Sequence, residues 1–535
     1  MWNIRKPHTT QQVRGLTLVE MLMATALTLI MFAAVAQIFG MMGSAMRDAR
    51  ATIELSGNLR SVSNRLQSEL DNVSVDALPW VEPGSNQGYF EIIEGPDRDI
   101  DYALVDIVPT LPGDQGALAG DADDMLCFTS YSKDKPFVGI IQGQLQAVPT
   151  DASSPYKFYI DRSNPALFTT ITSHYAEIVY FTKLTPTDDA NLETWNVAGH
   201  RDANETVTLY RRAFLIRPDI YFGTIGTSSP YTATPYTTAD ITEAELRNYY
   251  DLSVSRKGTD PWTTNSLERL QDRAYRVAHN GTGNTANNYN FPHVMQPHRM
   301  RSFEQLNGII GGSSRDRTGE DVIMTNALAF DVKVFDPSAV VLQDGSGNFG
   351  IAPGELGYDP SNGAGVLNTS TPMSGAFTDL NWSARQSLIA TSTFGGAPAT
   401  SSGLNSVEVN DAQIFGTAPT NFGDLLTAFP QIPSQLIITG NPADTPNLAL
   451  QYAYYDTWPL AYESDGVDQN GNGQVDEGTN GFDDTGDGVV DDISEYETSP
   501  PYPVPLRAVS ITIRAIENGT RQVRQDTVIS DFLPE

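Results

Sequence analysis

The sequence is poor in cysteine, histidine and positive charge. Its 535 residues include one cysteine and six scattered histidines, and 33 basic side chains stand against 65 acidic ones, giving a formal net charge of −32. The single cysteine, Cys127, excludes an intramolecular disulfide. The excess of carboxylates argues against nucleic-acid binding as a main task, because phosphates repel them.

Common catalytic signatures are absent too. There is no G-x-S-x-G, H-E-x-x-H or G-K-[ST] motif. Cys127 lies in an apolar run and is predicted to be a buried hydrophobe rather than a nucleophile. His293 and His298 have no third ligand nearby in the sequence, so they do not predict a metal site. We therefore predict that the chain is not an enzyme. A membrane-tethered hydrolase built on a carboxylate pair is a lesser alternative, because no pair stands out.

One long apolar run lies near the N-terminus. A basic head with Arg5, Lys6 and Arg14 precedes it, and Gln37 is the only strongly polar side chain between residues 21 and 46. The run is long enough to span a bilayer as a helix. Positive charges before the span predict a cytoplasmic N-terminus and an external remainder, in a single-pass protein.

The helical pattern continues past the apolar run. A stripe at spacings of three and four consists of Leu55, Leu59, Val62, Leu66, Leu70 and Val73. We therefore expect one helix from about residue 16 to residue 73. Its first half requires lipid or other helices around it, and its second half requires a globular domain on one side.

A glycine and a carboxylate bracket the start of this helix. Gly15 is followed by Leu16-Thr17-Leu18-Val19 and then by Glu20, and a carboxylate at the edge of a span is costly and usually functional. The arrangement resembles the class III leader of type IV prepilins and type II secretion pseudopilins, although Leu16 stands where that family most often has phenylalanine.

This resemblance implies a processing event and a set of partners. A prepilin peptidase would cut after Gly15, Leu16 would be N-methylated, and Glu20 would pair with the new amine of a neighbouring subunit. The implied partners are that peptidase, other pilins or pseudopilins through the N-terminal helix, and inner-membrane lipid. Two alternatives compete: a signal peptide cut after Ala36, and a plain membrane anchor. Apolar residues continue past Ala36, and an anchor needs neither Gly15 nor Glu20.

Strand patterns dominate after the helix, and the predicted fold class is α+β. We expect the long helix to pack on an antiparallel β-sheet head that carries large loop insertions. The predicted strands cover residues 89–93, 125–130, 176–181, 207–216, 328–334, 509–514 and 522–532. Asp336-Pro337 is expected to end its strand, and Asn518-Gly519 predicts a hairpin turn.

These patterns divide the chain into eight segments. We predict a leader (1–15), the pilin helix (16–75), the first part of the β-rich head (76–222), a polar insertion (223–320), a core strand segment (321–342), a Gly/Ser-rich insertion (343–450), an acidic segment (451–505) and a C-terminal hairpin (506–535). The polar insertion includes a predicted helix from Glu243 to Tyr250. The succession resembles J-type minor pseudopilins in residues 124–128, 176–181 and 209–212 and in the closing hairpin.

The acidic segment contains a tandem repeat typical of calcium loops. Residues 463–497 hold twelve carboxylates and no Lys or Arg, and the order Asp-x-Asn-x-Asn-Gly recurs fifteen residues later as Asp-x-Thr-x-Asp-Gly. Oxygen ligands at alternate positions around a Gly suit Ca²⁺. The predicted ligand positions are Asp468, Asn470, Asn472, Gln474, Asp476 and Glu477 in the first loop, and Asp483, Thr485, Asp487, Val489, Asp491 and Asp492 in the second.

The repeat resembles the tandem calcium loops of thrombospondin type 3 repeats and, more distantly, EF-hand loops. It departs from the EF-hand at position 12, where Thr479 and Ser494 replace the bidentate Glu. We expect a structural Ca²⁺ role, with a purely electrostatic surface loop as the alternative.

Together these features predict a structural subunit. It would be a minor pilin or pseudopilin in the inner membrane, with its head in the periplasm or at the cell surface, assembled into a type IV pilus or a type II secretion pseudopilus. The alternative is a pilin-anchored binding or adhesion module whose recognition surface is formed by the two insertions.

Overall fold

The computed structural model describes the chain from Thr17 onward in separate stretches. They are residues 17–77, 80–81, 85–94, 120–122, 124–149, 154–184, 206–226, 228–229, 231–256, 261–271, 275–277, 321–343, 349–352, 373–380, 435–438, 451–459, 506–517 and 522–532. A long apolar N-terminal helix and a large antiparallel sheet make this an α+β fold, as predicted.

The described residues form two α-helices and twenty-two strands. The helices are α1 (Leu18–Leu70) and α2 (Glu243–Tyr249), and a 3-10 turn covers Arg269–Gln271. The strands are β1 (Trp80–Val81), β2 (Phe90–Glu94), β3 (Met125–Tyr131), β4 (Phe137–Gln142), β5 (Gln144–Ala147), β6 (Phe158–Asp161), β7 (Phe168–Ser173), β8 (Tyr175–Leu184), β9 (Val207–Leu215), β10 (Ile220–Tyr221), β11 (Gly223–Ile225), β12 (Ala233–Pro235), β13 (Val254–Ser255), β14 (Thr263–Thr264), β15 (Val322–Gln343), β16 (Phe349–Ile351), β17 (Met373–Thr378), β18 (Gln435–Ile438), β19 (Gln451–Asp456), β20 (Trp458–Pro459), β21 (Ala508–Glu517) and β22 (Gln522–Asp531).

The chain divides into two compact units. The first comprises Met1–Gly57 and Glu517–Gln522, and the second comprises Asn58–Ile516 and Val523–Glu535. Helix α1 begins in the first unit and ends in the second. Within the first unit, the Thr52 hydroxyl contacts the side-chain oxygen of Gln522.

The main sheet has eleven strands in the order β18-β19-β2-β3-β8-β9-β15-β21-β22, with β16 and β17 also paired to β15. From β18 to β21 each neighbouring pair is antiparallel. Side-chain contacts join Thr512 to Thr527 and Arg514 to Gln525, so β21 and β22 also run in opposite directions. The predicted closing hairpin thus has its two strands, while its turn lies outside the described residues.

Strand β15 corrects one prediction. Asp336-Pro337 does not end the strand, which continues to Gln343. The reason is an irregularity: the register between β15 and β17 shifts between Asp336 and Val340. Proline lacks a backbone N–H and is tolerated in a sheet where the ladder is already interrupted. The strand therefore passes through Pro337 instead of stopping.

Within the second unit, one face of the sheet is covered by α1 from Leu59 to Leu70. The predicted helix stripe is buried at Leu59, Val62, Leu66 and Leu70, and Leu55 in the first unit is buried as well. Val73, the last predicted position of the stripe, lies beyond the end of the helix and is half-buried. The sheet presents an aromatic row to this side. Ring centroids lie 6.1 Å apart from Phe90 to Phe128 and 6.4 Å apart from Phe128 to Tyr180, and Phe330 stacks next at 6.4 Å.

The other face is covered by described residues within 253–256, 261–271 and 275–277, which together form the covering segment. Leu267 and Leu270 pack into a cluster with sheet residues that alternate with those facing the helix, including Val179 and Phe181 of β8. Cys127 belongs to this cluster and is buried, as predicted. The sheet is thus a central layer with apolar cores on both sides.

A further core lies in the region of β4–β7 and β10–β14. Helix α2 begins at a capping box, in which Thr242 and Glu245 satisfy each other's backbone N–H, and it ends one residue before the predicted Tyr250. Its Leu246 and Tyr249 are buried with Trp262. The first part of the predicted polar insertion therefore contributes packed structure.

Candidate functional site

The predicted cleavage site stands immediately before the described part of the chain. Gly15 and Leu16 lie outside the described residues, and Thr17 is the first residue that the structure describes. Glu20, the predicted assembly carboxylate, lies in the first turn of α1 and is exposed.

Glu20 and Thr17 form a capping box. The Thr17 backbone N–H donates to Oε2 of Glu20 at 2.8 Å, and the Thr17 hydroxyl donates to the same oxygen at 2.9 Å. In return, the Glu20 N–H donates to the Thr17 hydroxyl oxygen at 3.3 Å. A helix start leaves several N–H groups without intrahelical partners, and this arrangement satisfies two of them. Glu20 therefore has a role within its own chain, and the sequence interpretation missed Thr17.

The first half of α1 presents an apolar surface. It is the one described helix that is long and apolar enough to cross a membrane, and its most apolar stretch is not buried by any other part of the described chain. The hydroxyls of Thr25 and Thr28 bond to carbonyls of the preceding helical turn, so they are not left unsatisfied on this surface. A Cβ added at Gly40 or Gly43 would meet no atom within 4 Å. By length and composition, the helix is suited to a single membrane span or a signal sequence.

A buried ion pair fixes the end of α1 to the sheet. Glu69 lies in the last turn and accepts from the Tyr180 hydroxyl at 2.5 Å and from Nε of Arg211 at 3.0 Å. Nη2 of Arg211 lies 2.6 Å from the other carboxylate oxygen. Arg65, one turn earlier, reaches that same oxygen at 3.3 Å but is half exposed. A carboxylate at a helix C-terminus opposes the helix dipole, so these cations are needed to hold it there.

The environment of this pair shifts the pKa of its partners. Burial, followed by the adjacent Glu69 charge, raises the pKa of Tyr180 well above its ordinary value. Burial alone would lower the pKa of Arg211, but Glu69 and Tyr180 together outweigh it and the net shift is upward. Both shifts keep the hydroxyl protonated and the guanidinium charged, which is the arrangement of a structural contact.

The opposite face of the sheet holds a second buried carboxylate. Glu177 accepts from the Tyr89 hydroxyl at 2.9 Å, from the Ser253 hydroxyl at 2.6 Å and from the Val277 backbone N–H at 2.9 Å. Burial raises the pKa of Glu177, and these hydrogen bonds only partly oppose the shift. The group ties the covering segment to the sheet.

Arg276 also connects the covering segment to the sheet. Arg276 donates to the carbonyls of Leu270 and Gln271, both at 2.8 Å, and its Nη1 lies 3.4 Å from Glu91. Its guanidinium carbon lies 4.2 Å from the Tyr89 ring centroid. Arg276 and Glu91 are fully buried, so a ligand could reach them only if the covering segment moved.

The predicted calcium ligands belong to the part of the chain outside the described residues. All twelve, from Asp468 to Asp492, lie outside the described residues, as do His293 and His298. Within the part of the chain that is described, no group of three or more His, Cys, Asp or Glu side chains is arranged to hold a metal ion.

Comparisons with known family models, curated proteins and solved structures find no match to this chain.

Proposed function

We propose that the chain is a large minor pilin or pseudopilin that acts as a structural subunit. A prepilin peptidase cleaves it after Gly15, and other pilin subunits then bind its N-terminal helix to build a type IV pilus or a type II secretion pseudopilus. The supporting observation is the composition of α1. Glu20, in the first turn, is the one carboxylate in the exposed apolar half of the helix, and the helix residues from Leu59 to Leu70 are buried against an antiparallel sheet.

In this proposal the first half of α1 has two successive environments. Before assembly it spans the inner membrane, with the basic head in the cytoplasm and the β-rich unit outside. After assembly, neighbouring helices replace the lipid. Glu20 then holds its own helix start and meets the amine of the adjacent subunit, so the capping box and the intermolecular pair share one carboxylate. The chain itself performs no catalysis.

The mature N-terminus provides the test. Full-length protein is produced with and without a prepilin peptidase, and mass spectrometry identifies its first residue. The expected product begins at N-methylated Leu16 only when the peptidase is present, and Gly15→Val abolishes it. Gly43→Ala is the matched control, because an added methyl there meets no other atom. A product beginning at Gln37 in both strains would identify a signal peptide and refute the proposal.

Assembly provides a second test. Glu20→Gln is expected to reduce recovery of the subunit in filaments without reducing its cleavage. Glu54→Gln, at an exposed position on the same helix, removes an equal charge and is expected to leave recovery unchanged. Equal recovery of the two variants would contradict a role for Glu20 in assembly.

We also propose that the tandem acidic loops bind Ca²⁺ as a structural ion. Twelve carboxylates within residues 463–497 repel one another unless cations neutralise them. Limited proteolysis of the full chain is expected to cut this segment faster in chelator than in Ca²⁺. Asp468→Asn with Asp483→Asn is expected to remove the difference, whereas Asp526→Asn in the hairpin keeps it. Identical digestion of the unaltered chain in both conditions would contradict the proposal.

A further inference from the structure

Lys333 of β15 faces an aspartate on the neighbouring strand. The antiparallel register pairs Val334 with Thr378 and Phe335 with Phe377. One step further along the same ladder places Lys333 opposite Asp379. Residues directly opposite each other in an antiparallel pair have their Cβ atoms about 5 Å apart, so their side chains can contact each other.

A second aspartate completes a group of three. Nζ of Lys333 contacts Oδ2 of Asp331, two residues earlier on the same face of the strand, and lies 3.5 Å from Oδ1 of Asp379. The side chains are 18%, 3% and 6% exposed for Lys333, Asp331 and Asp379, respectively. One ammonium group therefore lies between two carboxylates that are almost excluded from water.

Two aromatic residues form the next cross-strand pair on the same face of the sheet. Phe335 and Phe377 follow on the same face, with ring centroids 5.5 Å apart at an angle of 71°. Gly375 leaves the space that the Phe335 ring occupies, because a Cβ there would lie 2.9 Å from it. The apolar rings lower the local polarity, which raises the cost of keeping these charged groups buried.

We propose that Lys333 and Asp379 are joined by an intramolecular isopeptide bond, with Asp331 as the group that transfers the protons. The geometry brings a nucleophilic nitrogen and an acyl carbon together on adjacent strands, and a carboxylate contacts that nitrogen. Proximity of this kind replaces an external activating reagent. Condensation also removes one positive and one negative charge from the interior.

The reaction balances without a further reactant. Asp331 takes a proton from the Lys333 ammonium and delivers it to the Asp379 carboxylate, and the free amine attacks Cγ of Asp379. The Nζ–Cγ bond forms and one Cγ–Oδ bond breaks. Of the three ammonium hydrogens, one stays on the amide nitrogen and two leave with the oxygen as water. Asp331 is regenerated as a carboxylate.

The bond would cross-link β15 to β17 covalently. It would close a loop through every residue between Lys333 and Asp379, including the register shift at Asp336–Val340. A cross-link of this kind restricts the unfolded chain and adds a connection that pulling on the strands cannot open by breaking hydrogen bonds alone. The inference does not depend on the proposed function.

Peptide mass spectrometry of the denatured full-length protein tests the bond. Trypsin cuts after lysine, so an unmodified chain yields Thr318–Lys333 and Val334–Arg385 as separate products. A cross-linked chain yields one product, Thr318–Arg385, uncut at Lys333 and lighter by one water. Separate products at full mass would overturn the proposal, and so would an uncut product without the loss of water.

Three variants provide the controls. Lys333→Arg keeps the charge but prevents the bond, so both products are expected at full mass. A loss of water in that variant would place the dehydration elsewhere and refute the assignment. Asp331→Asn keeps both reacting groups and is expected to abolish the bond; retention of the bond would refute its role. Asp336→Asn, buried on the same strand, is expected to keep the cross-link. Far-ultraviolet circular dichroism confirms that each variant is folded.

Discussion

Two carboxylates on opposite faces of the central sheet, Glu69 and Glu177, are buried in different ways. On the helix side, Glu69 is held by the guanidinium of Arg211 and the hydroxyl of Tyr180. On the other side, Glu177 is held by hydroxyls and a backbone N–H, and burial raises its pKa. A charge-paired carboxylate leaves a bare charge when its partner is removed, whereas a carboxylate among neutral donors can relieve its burial by taking up a proton. Glu69 and Glu177 should therefore respond to different perturbations.

Arg211→Ala should have the largest effect. It leaves Glu69 buried without its main cation, and loss of one partner of a buried pair costs about 3–5 kcal/mol in the free energy of unfolding. Denaturant titration of the detergent-solubilised chain measures this. Arg65→Ala is the matched control: Arg65 contacts the same carboxylate but is 53% exposed, so we expect a cost of about 0–1 kcal/mol. Equal costs for the two variants would contradict the argument that the buried guanidinium of Arg211 is the main cation holding Glu69.

Truncating a leucine on each face tests whether both covers belong to one cooperative unit. Leu66 and Leu270 are completely buried, on the helix side and the opposite side respectively. Each change to alanine is expected to cost about 2–5 kcal/mol through lost burial and an internal cavity. If Leu270→Ala left the unfolding midpoint unchanged, the covering segment would open independently of the sheet.

The pH dependence of stability should distinguish Glu177. Because its pKa in the folded chain lies above the ordinary value of 4.5, its contribution to stability is complete below that value and is lost as pH rises through the folded pKa. Glu177→Gln should remove this term, so the unaltered chain should lose stability relative to the variant as pH rises above 4.5. Glu54→Gln controls for the loss of one charge. A constant difference between Glu177→Gln and the unaltered chain across pH would contradict the prediction.

The smallest effect on stability is expected at the capping box of Thr17 and Glu20. In contrast to the two buried carboxylates, Glu20 is exposed. Thr17→Ala removes the hydroxyl of the capping box, so the first helical turn should open more often and its backbone N–H groups should exchange faster with deuterium. Thr25→Ala, inside the same helix, removes a hydroxyl that bonds only to preceding carbonyls and should not change exchange at that turn. Equal exchange in the two variants would show that the cap has no local effect.

Regular elements were predictable where the local pattern was strong. The helix expected over residues 16–73 is observed as Leu18–Leu70, and the strand expected over 125–130 as Met125–Tyr131. Such patterns reflect only which faces are buried. Strand β17 was not predicted, because it lies in a Gly/Ser-rich stretch with few strand signals. Its place in the sheet comes from pairing with β15 rather than from its own composition.

The candidate site was predictable in part. Glu20 stood out as a lone carboxylate, and the pattern Thr17-x-x-Glu20 was a readable capping signal that was overlooked. The contact between Glu69 and Arg211 was not accessible in the same way, since 142 residues separate them and many other acidic and basic residues were available as partners. Local sequence can indicate a cap, but it cannot select one ion pair from a strongly acidic chain.

The strand order also affects how the chain can fold as it is synthesised. Strand β2 lies early in the sequence, yet its outer neighbour is β19, and the backbone of Phe90 bonds to Thr457, 367 residues later. Contacts between such distant residues slow folding, because a long loop must close before they can form. A chain that is synthesised from its N-terminus leaves one edge of β2 unpaired until the residues of β19 have been made. The growing chain therefore has a prolonged partly folded stage, in which that edge is exposed to pairing with other chains.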